Sequence, residues 1–460
     1  MSPTTCGLPP APPGGTVSAP SLTAGSSATY VCTPGFVLRG ATTRTCQSDG
    51  KWSGEAPTCE ATSVDCGPPP PAPPNGVLSA PITLYGATAS YYCSSGYALR
   101  GEATLVCQDD GTWSGTAPTC DCNVTCAGVC VDLETDSNHC GGCGIACPAV
   151  AAPSTTQCRL GRCLVTLASE PGVSVSTMAI DAANLYWLAD DAIAGGDTIK
   201  RTSLDGGSST TLVSGVDAFR PFAVGPSGLY WIRWDIRADS SNSIEYLEHT
   251  SLDGASSTDL LGPSDAGLWG LAVDAANVYF TMGKAVVKLP LAGGSPTTLA
   301  TTETPLCRMV VDATHVYWSN YRTTDFSSGA AIDGSVMKVP LGGGTATVIA
   351  GGQDPTGGLA VDAQSVYWTT RTAVMRAGLD GSGATTLASG TPSSVAVDAS
   401  SIYWTVGADR YSGGAVMKMP REGGASVKIA VGQDSPWSIA VNSTSVYWTT
   451  SGAVMKLTPK

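Results

Sequence analysis

A tyrosine-tryptophan step recurs along the C-terminal part of this chain, and it limits the possible folds more than any other feature. It appears at Tyr186-Trp187, Tyr230-Trp231, Tyr279-Phe280, Tyr317-Trp318, Tyr367-Trp368, Tyr403-Trp404 and Tyr447-Trp448. Successive tyrosines are 36 (Tyr367 to Tyr403) to 50 (Tyr317 to Tyr367) residues apart. A fixed motif at this period signals a repeat architecture. Each copy lies among four short apolar runs, such as Leu359-Ala360-Val361-Asp362, Val366-Tyr367-Trp368, Ala415-Val416-Met417-Lys418 and Thr385-Thr386-Leu387-Ala388. Many of their residues are β-branched or aromatic, and Gly, Asp, Asn and Pro punctuate them. This is strand-and-turn chemistry. No stretch holds a helical period.

Four short antiparallel strands repeated at this spacing make a propeller blade. Seven copies predict seven blades, with six as the alternative. The last repeat has three strands and no fourth before Lys460, while Leu164 to Ala168 resembles the fourth strand of other repeats. The expected closure pairs residues 164–168 with Ala453 to Leu457, covering an edge that would otherwise stay open. The tyrosine-tryptophan repeats are similar to the YWTD propellers of lipoprotein-receptor ectodomains. They differ in lacking the final Asp and in numbering seven rather than six, so no ligand carries over.

Sixteen of the seventeen cysteines lie in residues 1–163. Such density implies an oxidising, extracytoplasmic setting. Residues 6–59 and 66–120 repeat one pattern. Each begins Cys-Gly, has an aromatic residue before its second Cys (Tyr30; Tyr91 and Tyr92), and has Gly-aromatic after it (Gly35-Phe36; Gly96-Tyr97). Each then carries Trp52 or Trp113 in Gly-x-Trp-Ser-Gly and ends Ala-Pro-Thr-Cys. This resembles two sushi, or complement control protein, modules. The resemblance implies small β-sandwiches with bridges Cys6–Cys46, Cys32–Cys59, Cys66–Cys107 and Cys93–Cys120. Trp52 and Trp113 are expected to pack as core beside those bridges.

Residues 122–163 hold Cys122, Cys126, Cys130, Cys140, Cys143, Cys147, Cys158 and Cys163. Two readings stand: a disulfide knot of open connectivity, or a zinc site at Cys140, Cys143 and His139. The even count and the neighbouring modules favour disulfides. Cys307 is expected to behave as a small buried hydrophobe. The expected division is 1–60, 61–121, 122–163 and 164–460, in an all-β multidomain chain.

The chain has 24 Lys plus Arg against 37 Asp plus Glu, a formal charge of −13. A nucleic-acid or anionic-membrane partner needs a basic footprint, which this balance disfavours. No transmembrane run or lipidation motif is visible. Met1-Ser-Pro-Thr-Thr-Cys6 is not a signal segment, so either a start upstream, a leader already removed or another export route is expected. The Ala/Gly/Thr bias suggests a bacterial source.

Metalloprotease, nucleotide-loop and EF-hand signatures are absent. The recurring Asp181, Asp274, Asp312, Asp362 and Asp398 are expected to serve turns. His249 and His315 sit at repeat positions, His315 as an exposed turn residue. Residues that break the repeat are better functional candidates. The connections from second to third strand vary in length, and they share one end with the fourth-to-first connections. That end carries Arg220, Trp234, Trp269, Arg322, Arg410 and Trp437, joined by Arg233, Arg237, Tyr321, Phe326 and Tyr411. Variable loops on a rigid scaffold carry binding, and Trp and Arg are enriched at hot spots. The competing reading makes Trp269 and Trp437 plugs of the ring. The expectation is a secreted or cell-surface, non-enzymatic binding or adhesion protein without a cofactor, taking an extracellular protein or glycan. The alternatives are a propeller lyase or lactonase, or a purely structural spacer.

Overall fold

The apolar runs of the repeat form strands in the computed structural model. It describes residues 4–190, 196–216, 221–236, 243–301, 306–320, 323–324, 331–332, 334–407 and 413–460. The chain divides into two compact units, Met1–Leu133 and Glu134–Lys460. No helix among the described residues is long and apolar enough to cross a membrane.

In the first unit, each module pairs a three-stranded sheet with a two-stranded one. Gly15–Ser18, Ser27–Cys32 and Thr43–Thr45 form the larger sheet of the first module, and Phe36–Arg39 pairs with Thr58–Ala61. The second module repeats this with Gly76–Ser79, Thr88–Cys93 and Thr104–Val106, then Tyr97–Arg100 with Thr119–Cys122. Disulfides join Cys6 to Cys46, Cys32 to Cys59, Cys66 to Cys107 and Cys93 to Cys120. Trp52 and Trp113 are half-buried rather than fully enclosed. Each pairs with the Cys that precedes it in the repeat, Cys46 or Cys107. Their indole N–H groups donate to Gly7 O (2.8 Å) and Gly67 O (3.2 Å), so each ring is both a packing element and a clasp.

All sixteen cysteines of residues 1–163 are disulfide-bonded. Cys122 pairs with Cys130, Cys140 with Cys158 and Cys147 with Cys163. Their sulfurs are therefore not free thiolates, the form in which cysteine binds zinc. His139 instead faces Asp136 at 3.2 Å.

The described residues of the second unit include six four-stranded antiparallel sheets and one five-stranded sheet. Each four-stranded sheet follows chain order. Their first strands are Ser174–Ile180, Phe222–Val224, Leu268–Val273, Leu306–Val311, Pro355–Val361 and Pro392–Val397; Ile439–Val441 begins the seventh sheet. Each touches the next in that sequence, and Ile439–Val441 touches Ser174–Ile180. The innermost strands thus close a circle, which is the arrangement of a β-propeller. In the seventh sheet, Arg162–Ser169 lies beside Ala453–Thr458, with Leu164 opposite Leu457 and Val165 opposite Lys456. A fifth strand, Thr155–Arg159, lies outside Arg162–Ser169. Nothing in the repeat pattern foretold that strand, because none of the other six sheets has one among the described residues.

The tyrosine-tryptophan step forms the core. Trp187, Trp318, Trp368 and Trp448 are fully buried, as are Tyr186, Tyr230, Tyr279, Tyr317, Tyr367, Tyr403 and Tyr447. Tyrosine and tryptophan point to opposite faces of their strand, so each sheet packs against both neighbours. Each tyrosine also has a polar tip that needs a partner. Tyr186 donates to Asp181 (2.7 Å), Tyr279 to Asp274 (2.6 Å), Tyr317 to Asp312 (2.8 Å), Tyr367 to Asp362 (3.0 Å) and Tyr403 to Asp398 (3.1 Å). The other carboxylate oxygen of each Asp accepts two turn N–H groups, as Asp274 does from Ala276 and Asn277. Where Asp is replaced, the contact persists in another form: Asn442 donates to Tyr447 at 3.1 Å, and Ser227 stands 2.7 Å from Tyr230.

A second recurring contact joins neighbouring sheets. In five sheets the basic residue opposite the tyrosine, on the third strand, donates to the carbonyl just beyond the third strand of the next sheet. Lys288 reaches Leu341 at 2.9 Å, Arg376 reaches Arg421 at 3.1 Å and Lys456 reaches Leu204 at 2.7 Å; Lys338 reaches Leu379 and Arg201 reaches Leu252. His249 takes this position in the second sheet. It stays within that sheet, against Tyr230 and 3.2 Å from Ser227 O. His315 is half-buried rather than exposed, because it opens the strand His315–Asn320 with its ring 5.9 Å from Tyr317.

These turns respond to acid. Burial works against ionisation of Asp398, but Lys460 and the N–H groups of Ser400 and Ser401 outweigh it and hold its carboxyl at about 2. Asp181, Asp274 and Asp312 are also held below the ordinary carboxylate range, as tyrosine and turn donors outweigh burial. A lowered folded pKa gives stability that is present above the unfolded value of 3.8 and lost as pH falls through the folded value. The ring is expected to lose stability between pH 4 and pH 2, about 2 kcal/mol of it through Asp398. Acid titration of Asp398→Asn, followed by tryptophan fluorescence, should show a shallower loss than wild type. An identical acid midpoint and slope would contradict this.

Candidate functional site

The first strands run into the ring's core from the end at which second strands finish. Trp269 is the second residue of Leu268–Val273, and Trp437 stands two residues before Ile439, where Ile439–Val441 begins. Trp234 is near the end of Gly228–Ile236. All three therefore lie at the same end of their sheets. Trp234 was expected on a loop and is on a strand. Residues 232–236 and 244–247 continue the hairpin, pairing Trp234 with Glu245 and Arg233 with Tyr246, because Ile232, Trp234 and Ile236 alternate with Arg233 and Asp235, and Ile244 and Tyr246 flank Glu245.

Buried hydroxyls hold the backbones at two of these indoles. Thr281 Oγ1 donates to Trp269 O at 2.9 Å, and Thr405 Oγ1 donates to Trp437 O at 2.7 Å. Thr449 accepts the Ser438 N–H (3.0 Å) and donates to Ser176 O (2.9 Å), linking the last sheet to the first. The side chains remain outside: Trp234 is 38%, Trp269 44% and Trp437 53% exposed. Each of these large aromatic side chains thus presents part of its ring to solvent.

Arg220, Arg322 and Arg410, with Arg237, Tyr321, Phe326 and Tyr411, lie outside the described residues. The Cys307 backbone is within Leu306–Val311, but its side chain also lies outside them. Arg233 is fully engaged. Its guanidinium bonds Glu248 and Asp235, approaches Asp259 at 3.5 Å and lies 4.0 Å from the Tyr246 ring centroid. Burial pushes the Glu248 carboxyl up, against the pull of Arg233. This cluster is a brace between strands rather than a free cation.

A channel of about 380 Å³ follows the ring axis and is lined by residues of all the first strands, including Thr177, Arg308, Gly357, Ser394 and Ser438. Arg308 was not singled out in the sequence. It is visible only when the repeats are aligned at the residue before the partner of each second-strand aromatic.

Residues 6–59 and 66–120 match the Sushi repeat (SCR repeat). Through these sushi modules the chain is similar to the mouse sushi, von Willebrand factor type A, EGF and pentraxin domain-containing protein 1, at 40% identity over 26% of this chain and 3% of that protein. It is also similar to human complement receptor type 2 (38%; 19% of this chain, 9% of the receptor) and mouse P-selectin (34%; 24% and 15%). The chain thus spans a small fraction of the length of these curated relatives. All three are animal proteins, which lends no support to the bacterial source suggested by composition. Among solved structures, the chain is similar to virginiamycin B lyase from Staphylococcus aureus at 10% identity and a TM-score of 0.48, covering 63% of this chain and 97% of that one. It is also similar to a chain of a nidogen/laminin complex at 18% and 0.34, covering 50% and 84%. Neither likeness is strong enough to bear on function.

Proposed function

We propose that the chain is a non-enzymatic binding or adhesion protein of the cell exterior, in which sushi modules and a cysteine-rich segment accompany a seven-bladed propeller whose loop face takes an extracellular protein or glycan. The observation carrying this reading is the set of indoles at one end of the ring, Trp234, Trp269 and Trp437. They break the repeat and stay exposed while the repeated aromatics are buried. The extracellular setting is supported by the disulfides and by sushi relatives that include a receptor and a selectin. The recurring Asp carboxylates are committed to turns and tyrosines, which favours binding over catalysis.

The test is a glycan and protein array probed with the full chain and with a Trp269→Ala, Trp437→Ala variant. At hot-spot energetics of roughly 2 kcal/mol per indole, binding should fall at least tenfold with the melting temperature unchanged. Retained binding in the folded variant, or a ligand mapping to residues 6–120, would remove the loop face from this role. Unfolding of the variant would make the indoles plugs.

A further inference from the structure

The channel contains one residue that departs from its repeat position. Aligned by strand register, the residue before the partner of each second-strand aromatic is Thr177, Pro221, Gly270, Arg308, Gly358, Ser394 or Ser438. Six of these are small, hydroxyl-bearing or Pro. The fourth sheet alone carries a long cation there, and the sheets on either side of it carry glycine. No strand requirement explains an Arg at a position that six other sheets fill without one.

Arg308 is half-buried and lines the channel. Its Nε–H donates to Gly357 O at 2.9 Å, and this is its one bonded partner among the described residues. No Asp or Glu occurs among the residues lining the cavity. An Arg in a partly desolvated site normally has a carboxylate opposite it, so this guanidinium offers its terminal nitrogens to an anion from outside. Thr177, Ser394 and Ser438 line the same channel from the first, sixth and seventh sheets, across the ring from the fourth. A volume of about 380 Å³ is within the range of small-molecule pockets, roughly 300–1,000 Å³. Trp269 and Trp437 stand one residue further out than Gly270 and Ser438 on their own strands, toward the loop face.

We propose that the channel is an acidic-sugar subsite, in which Arg308 takes the carboxylate of a uronic or sialic acid residue whose chain continues outward over Trp269 and Trp437. The three hydroxyls match the hydroxyls of a sugar, and the indoles match its apolar face. A guanidinium whose two terminal nitrogens have no partner among the described residues matches a carboxylate. This deepens the loop-face reading and rests on it.

The experiment measures binding of the full chain to a polygalacturonate tetrasaccharide and sialyllactose, beside maltotetraose and lactose as neutral counterparts. The acidic probes should bind more tightly than the neutral ones, and the difference should shrink as salt rises. Arg308→Gln should lower acidic-probe affinity at least tenfold and leave neutral-probe affinity unchanged, while Arg308→Lys should recover part of the loss. Equal affinity for acidic and neutral probes overturns the subsite and leaves the loop face standing if Trp269→Ala, Trp437→Ala abolishes that binding. Undiminished acidic binding in Arg308→Gln at an unchanged melting temperature also overturns it. If Arg308→Gln does not fold, acidic binding in Arg308→Lys no better than neutral binding is the overturning result. Binding to neither class, with no protein ligand on the array, overturns both readings.

Discussion

Deleting Thr155–Ser169 should lower the melting temperature of the second unit by roughly 10 °C or more and drive it to aggregate. These residues form the two outer strands of the seventh sheet, and without them the edge of Ala453–Thr458 is open. They are also core. Val165 and Leu167 are 0% exposed, and they pack with Trp187, Tyr447 and Val454. Losing two such side chains removes about 3–6 kcal/mol of burial, before the edge itself is counted. Leu167→Asp isolates the packing term, since it places an unpaired charge in that cluster and should cost a comparable amount. Size-exclusion chromatography and thermal melts check both variants. A monomeric deletion variant melting within about 2 °C of wild type would show that the ring closes without these strands.

The second large effect is a difference between the two units under reduction. The sushi modules close loops with sequence separations of 40, 27, 41 and 27 residues through their disulfides. Each such bridge contributes about 3–4 kcal/mol by restricting the unfolded chain. Domains of this size bury too little surface to replace that. The ring instead has a fully buried Trp/Tyr core and, among the described residues, no disulfide beyond Cys163. With a strong reductant, hydrogen exchange read by mass spectrometry should rise steeply across residues 6–120 and stay low across 174–458. Equal protection in both regions, with thiols verified as free, would contradict the assignment of stability to the bridges.

Much of the fold was legible because the repeat states each rule several times. The Asp that precedes the turn recurs at one repeat position, so its role in the turn followed from chemistry, whereas its bond to the Tyr hydroxyl appeared only in the structure. The closing strand at Leu164 was legible because it resembles a fourth strand and the last repeat lacks one. What stayed hidden is what does not repeat or what depends on distance. Thr155–Arg159 has no counterpart in other sheets. The basic residues of the third strands were plain in the sequence, but their acceptors are carbonyls in the next sheet, 41 to 53 residues away and, for Lys456 at the ring closure, 252 away, and carbonyls leave no side-chain signature. Trp234 seemed to be in a loop because the repeat sets strand length by its shortest members, whereas local alternation extends this hairpin. Arg308 was overlooked because one substitution within a small-residue position shows only after register is known.

The bridges at the entrance to the ring also govern how it would carry a load. Cys163 faces Thr458 in the closing pair, so the two strands meet with their outward-leading ends together. Tension between residue 140 and the C-terminal strand would peel that pair open one rung at a time rather than shear all rungs at once. Before it did so, the Cys140–Cys158 and Cys147–Cys163 bonds would divert the pull around much of the backbone between them, leaving the Thr155–Arg159 hairpin partly unstretched. The cysteine-rich segment then acts as a covalent strain relief, and the first rung to yield is the one at Cys163.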